Sequence, residues 1–298
     1  MTTTSYYRGR FAPSPTGPLH FGSLVAALAS YLDARAQGGD WLLRIDDLDR
    51  GRCVPGMDTQ IVRTLESFGF EWDGEITFQS EHTEAYRSAL ATLQRQGRIY
   101  YCRCSRKQIA VAATQAGLEG PIYPGTCRTL GLSDGKGLAA RIRTDESEIR
   151  FEDRLFGEQN QNLARDIGDF VVRRADGYFA YQLAVVVDDY STGINQVVRG
   201  ADLLPSTPRQ LWLGQLLGFP HPRYLHIPLV FGPDGKKLSK TDQAHPVNTD
   251  DPLPALLDAW RFLCQPSPQP DSLSFQDFWP WAKAHWRPQQ MQEMITHE

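Results

Sequence analysis

Pro13-Ser14-Pro15-Thr16-Gly17-Pro18-Leu19-His20-Phe21-Gly22-Ser23 stands between a short stretch at 8–12 that reads as a strand and a longer one at 19–37 whose apolar residues recur at helical spacing. The Pro13/Pro15 pair ends the strand, and Gly38-Gly39 stops the helix. A tight turn feeding a helix N-terminus presents backbone N–H groups and the positive end of the helix dipole, an arrangement that favours an anion. Gly22 lets a nucleotide approach the backbone closely. Thr16 and His20 can donate to phosphate oxygens, and Ser23 can offer its hydroxyl.

Outward from this turn, residues 41–45 (WLLRI) read as a buried strand leading into the acidic cluster Asp46, Asp47 and Asp49. Helices are expected near 58–68 and 81–96. Strand, helix, strand, helix predicts an α/β domain with a parallel sheet. From residue 99 the texture changes to a cysteine cluster, a Gly-rich loop and short strands at 139–143, 149–151 and 170–173, closed by an Ala175-Asp176-Gly177 turn. The expected layout is therefore a first catalytic half at 1–98, an insertion at 99–174, a second half at 175–245 and a short helical C-terminal region at 246–298. The second half should carry a helix near 208–217 and a strand at 227–231. Gln265 to Pro270 (QPSPQP) reads as a linker.

With 298 residues, 41% hydrophobic and 22% charged, the chain has ordinary globular composition and room for a sizeable core. The N-terminus shows no secretory signal and no stretch approaches the length of a membrane span, so a cytoplasmic protein off the membrane is expected. The net charge of −4 lacks the basic surplus of a dedicated duplex binder, so composition neither supports nor excludes a nucleic-acid partner, and DNA is not an expected one. An RNA contact would rest on local basic residues such as Arg103, Arg106, Lys107 and Arg128. A monomer is expected.

A second chemical signal is Gly235-Lys236-Lys237-Leu238-Ser239-Lys240-Thr241, placed just after an expected strand. Lysines on a glycine-bounded loop can close over a triphosphate and stabilise the charge that builds as pyrophosphate leaves. Taken alone, such a run is more often a solvated surface.

Together the two segments resemble the HIGH and KMSKS motifs of class I aminoacyl-tRNA synthetases, with Ser23 in place of the second histidine and Leu238 in place of methionine. The resemblance implies a Rossmann-like nucleotide-binding domain, ATP as substrate with Mg²⁺, and His20, Lys237 and Lys240 as catalytic residues. Thr16, His20, Gly22, Ser23 and Lys240 would contact ATP.

Four further segments, RFAPSPTG at 10–17, LRIDDLD at 43–49, AVVVDD at 184–189 and VRGAD at 198–202, are similar to glutamyl-tRNA synthetases. Carried over by position, that family's glutamate contacts fall on Arg10, Ala12, Ser14, Asp46, Tyr181 and Arg199. The chemistry is consistent: arginine offers a fork of donors matched to a carboxylate, and Asp46 can meet the α-ammonium. A paired-arginine pocket should also reject glutamine, whose amide N–H groups a guanidinium cannot satisfy. Asp46 stands where the longer Glu is usual.

Three of the five cysteines fall close together, in Cys102-Arg103-Cys104 and Cys127. Their number and setting argue against disulfides. Three thiolates could hold Zn²⁺, which prefers four tetrahedral ligands; reduced thiols without metal are the alternative. The family resemblance names Tyr123 as fourth ligand, and water would be the other choice.

After Thr241 too few residues remain for the anticodon-binding region of glutamyl-tRNA synthetases, so the likeness covers about residues 6–245. A compact form with this cysteine pattern is similar to the glutamyl-queuosine tRNA(Asp) synthetases. It implies activation of L-glutamate with ATP and transfer to the queuosine base in the anticodon of tRNA(Asp). The alternatives are a truncated enzyme charging tRNA(Glu) and a small-molecule adenylate-forming ligase. A catalytically silent paralogue is a third.

Overall fold

The computed structural model describes residues 6–117, 120–231, 245–268 and 273–295. Strand Arg8–Phe11 pairs in parallel with Asp40–Ile45, which pairs in parallel with Thr77–Phe78. The crossover is helix Phe21–Arg35, whose Leu24, Leu28 and Leu32 are fully buried. On the opposite side of Arg8–Phe11 lies strand Gln196–Gly200. There the Asn195 N–H donates to the Arg8 carbonyl at 3.1 Å, and the Arg8 N–H donates to Asn195 Oδ1 at 3.0 Å. Gln196–Gly200 in turn pairs in parallel with Arg223–Ile227. The chain thus builds outward from Arg8–Phe11 in one direction and later resumes on its other side. A topological switch point of this kind opens a crevice at the carboxyl ends of the strands.

The strand expected at 227–231 instead ends at Ile227. Pro228 lacks the N–H that would carry the ladder further, so the apolar residues after it do not extend the sheet. Ile99–Cys102, Ala139–Ile142 and Phe170–Arg173 form an antiparallel sheet. The hairpin of Glu148–Asp153 and Gly157–Asn162 joins the other sheet, with Asp153 placed in parallel register beside Tyr224. Part of the stretch read as an insertion therefore extends the catalytic sheet. Helices Thr83–Arg95, Tyr181–Ser191 and Thr207–Leu217 pack with the antiparallel sheet around Tyr86, Ile142, Phe170, Leu183 and Trp212.

The C-terminal helices Pro252–Phe262 and Phe275–His285 cover helix Phe21–Arg35 and add Trp260, Phe278 and Trp286 to the main core. Trp279 meets the rings of Tyr31 and Phe70 edge-on at 5.0 Å each, a favoured aromatic geometry. The segment read as a linker begins with a packed residue. Gln265 is buried and donates to the carbonyls of Leu263 and Arg287, and Trp260 Nε1 donates to the Pro266 carbonyl at 2.8 Å. Gly69 follows helix Met57–Ser67 with φ +77°, and a Cβ there would stand 2.6 Å from Trp279 Nε1. Gly69→Ala is expected to destabilise the protein by about 2 kcal/mol, read from the midpoint of urea unfolding. Among the described residues, no helix is long and apolar enough to cross a membrane.

Candidate active site

At the switch point lies a cavity of about 320 Å³. Arg10, Ala12, Ser14, Asp46, Tyr181 and Arg199 all line it, together with Arg44 and Gly200. The reason is topological. Arg10 and Ala12 come from the end of Arg8–Phe11, Asp46 from just past Asp40–Ile45, and Arg199 from the end of Gln196–Gly200. Tyr181 begins the helix Tyr181–Ser191, which carries the buried Asp188 and Asp189, partners of the cavity's Arg10 and Arg44.

The charges here are buried and paired. Arg10 gives Asp189 a two-point contact, with Nε at 3.1 Å from Oδ1 and Nη2 at 3.2 Å from Oδ2. Arg44 Nη1 reaches Asp189 Oδ1 at 2.7 Å, and Arg44 Nε reaches Asp46 Oδ1 at 2.7 Å. Asp188 accepts from Gln79 Nε2 and Tyr86 Oη and lies 2.8 Å from His82 Nδ1. Burial raises the Asp189 carboxyl, but Arg10 and Arg44 more than offset this and hold it below the usual carboxylate range. For Asp46 burial wins: the carboxyl is pushed up to about 6, with Arg44 opposing. Asp46 Oδ2 and Arg10 Nη1 make no hydrogen bond among the described residues. With the buried, unpartnered Arg44 Nη2, these atoms leave both cationic and anionic groups of the lining residues for a ligand.

Arg199 is held more fully than the sequence implies. Its Nε donates to His226 Nε2 at 3.0 Å, Nη1 to Gln210 Oε1 at 2.8 Å, and Nη2 to Thr207 Oγ1 at 2.8 Å. Longer contacts run from Nη1 to the Tyr181 hydroxyl at 3.4 Å and from Nη2 to the Leu203 carbonyl at 3.3 Å, so all five N–H donors are engaged and Arg199 faces the cavity through Tyr181. Because that hydroxyl oxygen accepts from Arg199, its own proton is left to donate elsewhere.

His20 is the N-cap of helix Phe21–Arg35, and its Nδ1 accepts from the Ser23 N–H at 3.3 Å. The turn before it is pinned by the Asp46 N–H to the Pro13 carbonyl and the Val54 N–H to the Pro15 carbonyl. Thr16, Gly22 and Ser23 are half-buried around this helix start. Pro246 bridges to His20, and the Val247 N–H donates to the Leu19 carbonyl at 3.1 Å. Lys237 and Lys240, with the rest of the lysine motif, lie outside the described residues.

Cys102, Cys104 and Cys127 bring their sulfurs within 4.8 Å of one another. The Tyr123 hydroxyl sits among them, 3.3 Å from Cys102 Sγ and 3.7 Å from Cys104 Sγ, and Cys104 and Cys127 sulfurs are 3.5 Å apart. Zn–S bonds of about 2.3 Å at tetrahedral angles require sulfurs roughly 3.8 Å apart, so the donor set fits the ion. Burial opposes ionisation of the Cys127 thiol, but hydrogen bonds from Tyr123 and the Arg103 backbone bring it down to about 7. The Arg141 guanidinium stacks 4.0 Å over the Tyr123 ring.

Several residues of the site carry no role in the sequence reading: Arg44, Asp153, Asp188, Asp189 and His226. A signal exists for Arg44, Asp188, Asp189 and His226, namely an ionisable residue inside an apolar strand or helix (WLLRI, AVVVDD, RYLHI), which must be paired to be buried. Sequence cannot say with what, and Asp153, in EIRFED, has no such signal.

A crevice at the carboxyl ends of parallel strands, with a nucleotide-type helix start beside an arginine- and aspartate-lined cavity, has the layout of a class I synthetase catalytic domain. The family described as tRNA synthetases class I (E and Q), catalytic domain, matches residues 7–258, and the chain belongs to it. Within that family it falls among the glutamyl-Q tRNA(Asp) synthetases. It is 55% identical to the one from Dechloromonas aromatica over 95% of this chain and 94% of that protein. Its identity to the one from Chromobacterium violaceum is 54%, over 95% of each chain. Among solved structures, the glutamate-tRNA synthetase of Elizabethkingia anophelis superposes with a TM-score of 0.69 at 29% identity, covering 80% of this chain. This chain spans about half of that longer protein, 53%.

Proposed function

We infer that the protein activates L-glutamate with ATP and transfers the glutamyl group to the queuosine base of tRNA(Asp). The observation that carries the amino-acid half is the cavity that Arg10, Asp46, Tyr181 and Arg199 line together, which offers cationic and anionic groups to one ligand. The names of relatives at 54–55% identity support the tRNA half.

In the first step an α-carboxylate oxygen of glutamate attacks the α-phosphorus of ATP, and pyrophosphate leaves. His20 at the helix start stabilises the charge on the transferring phosphoryl group, joined by Lys237 and Lys240. Mg²⁺ would neutralise the departing pyrophosphate. In the second step a hydroxyl of the queuosine ring attacks the mixed anhydride, and AMP leaves. Arg10 Nη1 and the Tyr181 hydroxyl, backed by the charge of Arg199, meet the side-chain carboxylate, while Ala12 and Ser14 shape the wall. Asp46 takes the ammonium. Cys102, Cys104, Tyr123 and Cys127 would hold Zn²⁺, which stiffens the sheet around Ile99–Cys102 and takes no part in the chemistry.

A pH dependence follows from Asp46. Its carboxyl titrates near 6 in the folded protein, so the charged form that an ammonium requires is full above that value and lost below it. The KM for glutamate is expected to rise about tenfold per pH unit below roughly pH 6, with the KM for ATP flat across the same range. Asp46→Asn should start from a weak KM and show no such limb. A wild-type KM that stays level down to pH 5 would remove Asp46 from the pocket.

The function is tested with ATP, radiolabelled glutamate and total tRNA from cells that can or cannot make queuosine. Label should enter only the queuosine-containing tRNA. Labelling that persists without queuosine would favour charging of tRNA(Glu), and glutamate-independent ATP–pyrophosphate exchange would favour a small-molecule ligase.

A further inference from the structure

Arg199 is gripped from behind by a chain of buried groups. In the parallel ladder it stands in register with His226, so both side chains leave the same face of the sheet. His226 is fully buried, with Nε2 3.0 Å from Arg199 Nε and Nδ1 2.7 Å from Asp153 Oδ2. A guanidinium Nε–H can only donate, so His226 Nε2 must accept, and the ring proton must reside on Nδ1. That proton is then directed at Asp153. The carboxylate is itself fixed: Oδ1 accepts from the backbone N–H of Leu155 and of Phe156 at 3.0 Å each, and Oδ2 accepts from the His226 N–H at 3.1 Å. Tyr224 stacks on His226 at 5.8 Å and lies under the Arg199 guanidinium at 5.2 Å, closing the remaining side.

We propose that Asp153 and His226 are positioning residues for the amino-acid pocket, locking the tautomer and plane that hold Arg199 and, through it, aim the Tyr181 hydroxyl at the glutamate side chain. The proposal rests on the reading of the cavity as the glutamate site. Chemically, the imidazole gives Arg199 a neutral acceptor, so its charge is steadied without being cancelled by direct contact with a carboxylate. Burial, with Arg199 beside it, holds the ring below the usual histidine range, which agrees with a neutral imidazole. Asp153 belongs to the hairpin Glu148–Asn162, so a segment far from the nucleotide motifs contributes to substrate recognition.

The test exploits the tautomer. In Asp153→Asn the amide N–H₂ facing His226 Nδ1 forces the ring proton onto Nε2, where it opposes the Arg199 Nε–H. Asp153→Asn and His226→Leu should each raise the KM for glutamate about tenfold or more, with the KM for ATP changed less than about twofold. His226→Gln, which can still accept from Arg199, should show a several-fold smaller rise than His226→Leu. Ring ¹⁵N shifts of His226 in Asp153→Asn should show the proton moved from Nδ1 to Nε2, and this holds as a readout even where His226→Leu does not fold. Equal effects on both KM values, or an unchanged tautomer, would overturn the proposal. So would equal losses from the Gln and Leu variants. Arg199→Ala separates the two layers. If it raises the glutamate KM while Asp153→Asn does not, the pocket reading stands and the positioning role falls. If Arg199→Ala leaves that KM unchanged, the pocket reading itself fails.

Discussion

Arg199→Ala should raise the KM for glutamate about 100-fold and leave the KM for ATP within about twofold, because truncating one member of a buried charged network costs roughly 2–5 kcal/mol. Four acceptors lose their donor at once: His226 Nε2, Gln210 Oε1, Thr207 Oγ1 and the Leu203 carbonyl. The Tyr181 hydroxyl also loses the contact that frees its proton for a ligand. The residues proposed to contact ATP, Thr16, His20, Gly22, Ser23 and Lys240, are not members of this network, so ATP binding should report whether the fold has survived. Arg199→Lys should recover little, since an ammonium cannot replace a planar fork that serves five partners. The ratio of glutamate to glutamine use should fall as well, because the cationic surroundings that leave an amide's N–H groups unsatisfied are weakened. Parallel losses of ATP and glutamate affinity would mean that Arg199 supports the sheet and not the substrate.

Cys102→Ser should empty the metal site. Zinc content, measured by mass spectrometry on protein purified without chelator, is expected to fall from about one ion per chain to near zero, since removing one thiolate leaves an incomplete shell. The cluster that depends on it is small, with Tyr100, Cys102, Tyr123 and Cys127 as its buried residues. Little apolar area is available there to replace a metal's contribution. Protease cleavage near residues 103–128 should therefore accelerate while glutamate-dependent ATP–pyrophosphate exchange persists, because Arg10 and Asp46 stand on a different sheet. Equal zinc content in wild type and variant would rule out the cluster as a metal centre.

Much of the catalytic half was legible residue by residue. The Pro-Gly turn, the helix at 19–37 and the apolar WLLRI run each obey local rules of backbone geometry and period, and they stand at Phe21–Arg35 and Asp40–Ile45. The strand at 227–231 was misplaced because apolar residues on both sides of Pro228 look alike in one dimension, whereas only those before it can complete a ladder. The hairpin Glu148–Asn162 read as part of an insertion because nothing in its own residues names the strand it pairs with. The Trp-rich tail carried no local signal of its role, which is to cover helix Phe21–Arg35.

Sequence alone determined the chemistry on offer, a helix start suited to phosphate and three cysteines close enough to share a metal, while the resemblance supplied Tyr123 as fourth ligand and the arginines and aspartate for a glutamate. Those properties belong to single residues and short spacings. Only the tertiary structure decided how the charges are partnered. Arg10 is shared between Asp189 and the cavity, Arg44 links Asp46 to Asp189, and Arg199 answers to His226 and, through it, Asp153. Pairings between residues 145 or 179 positions apart follow from which strands lie side by side, and burial then makes them obligatory, since a lone charge in that interior would cost several kcal/mol.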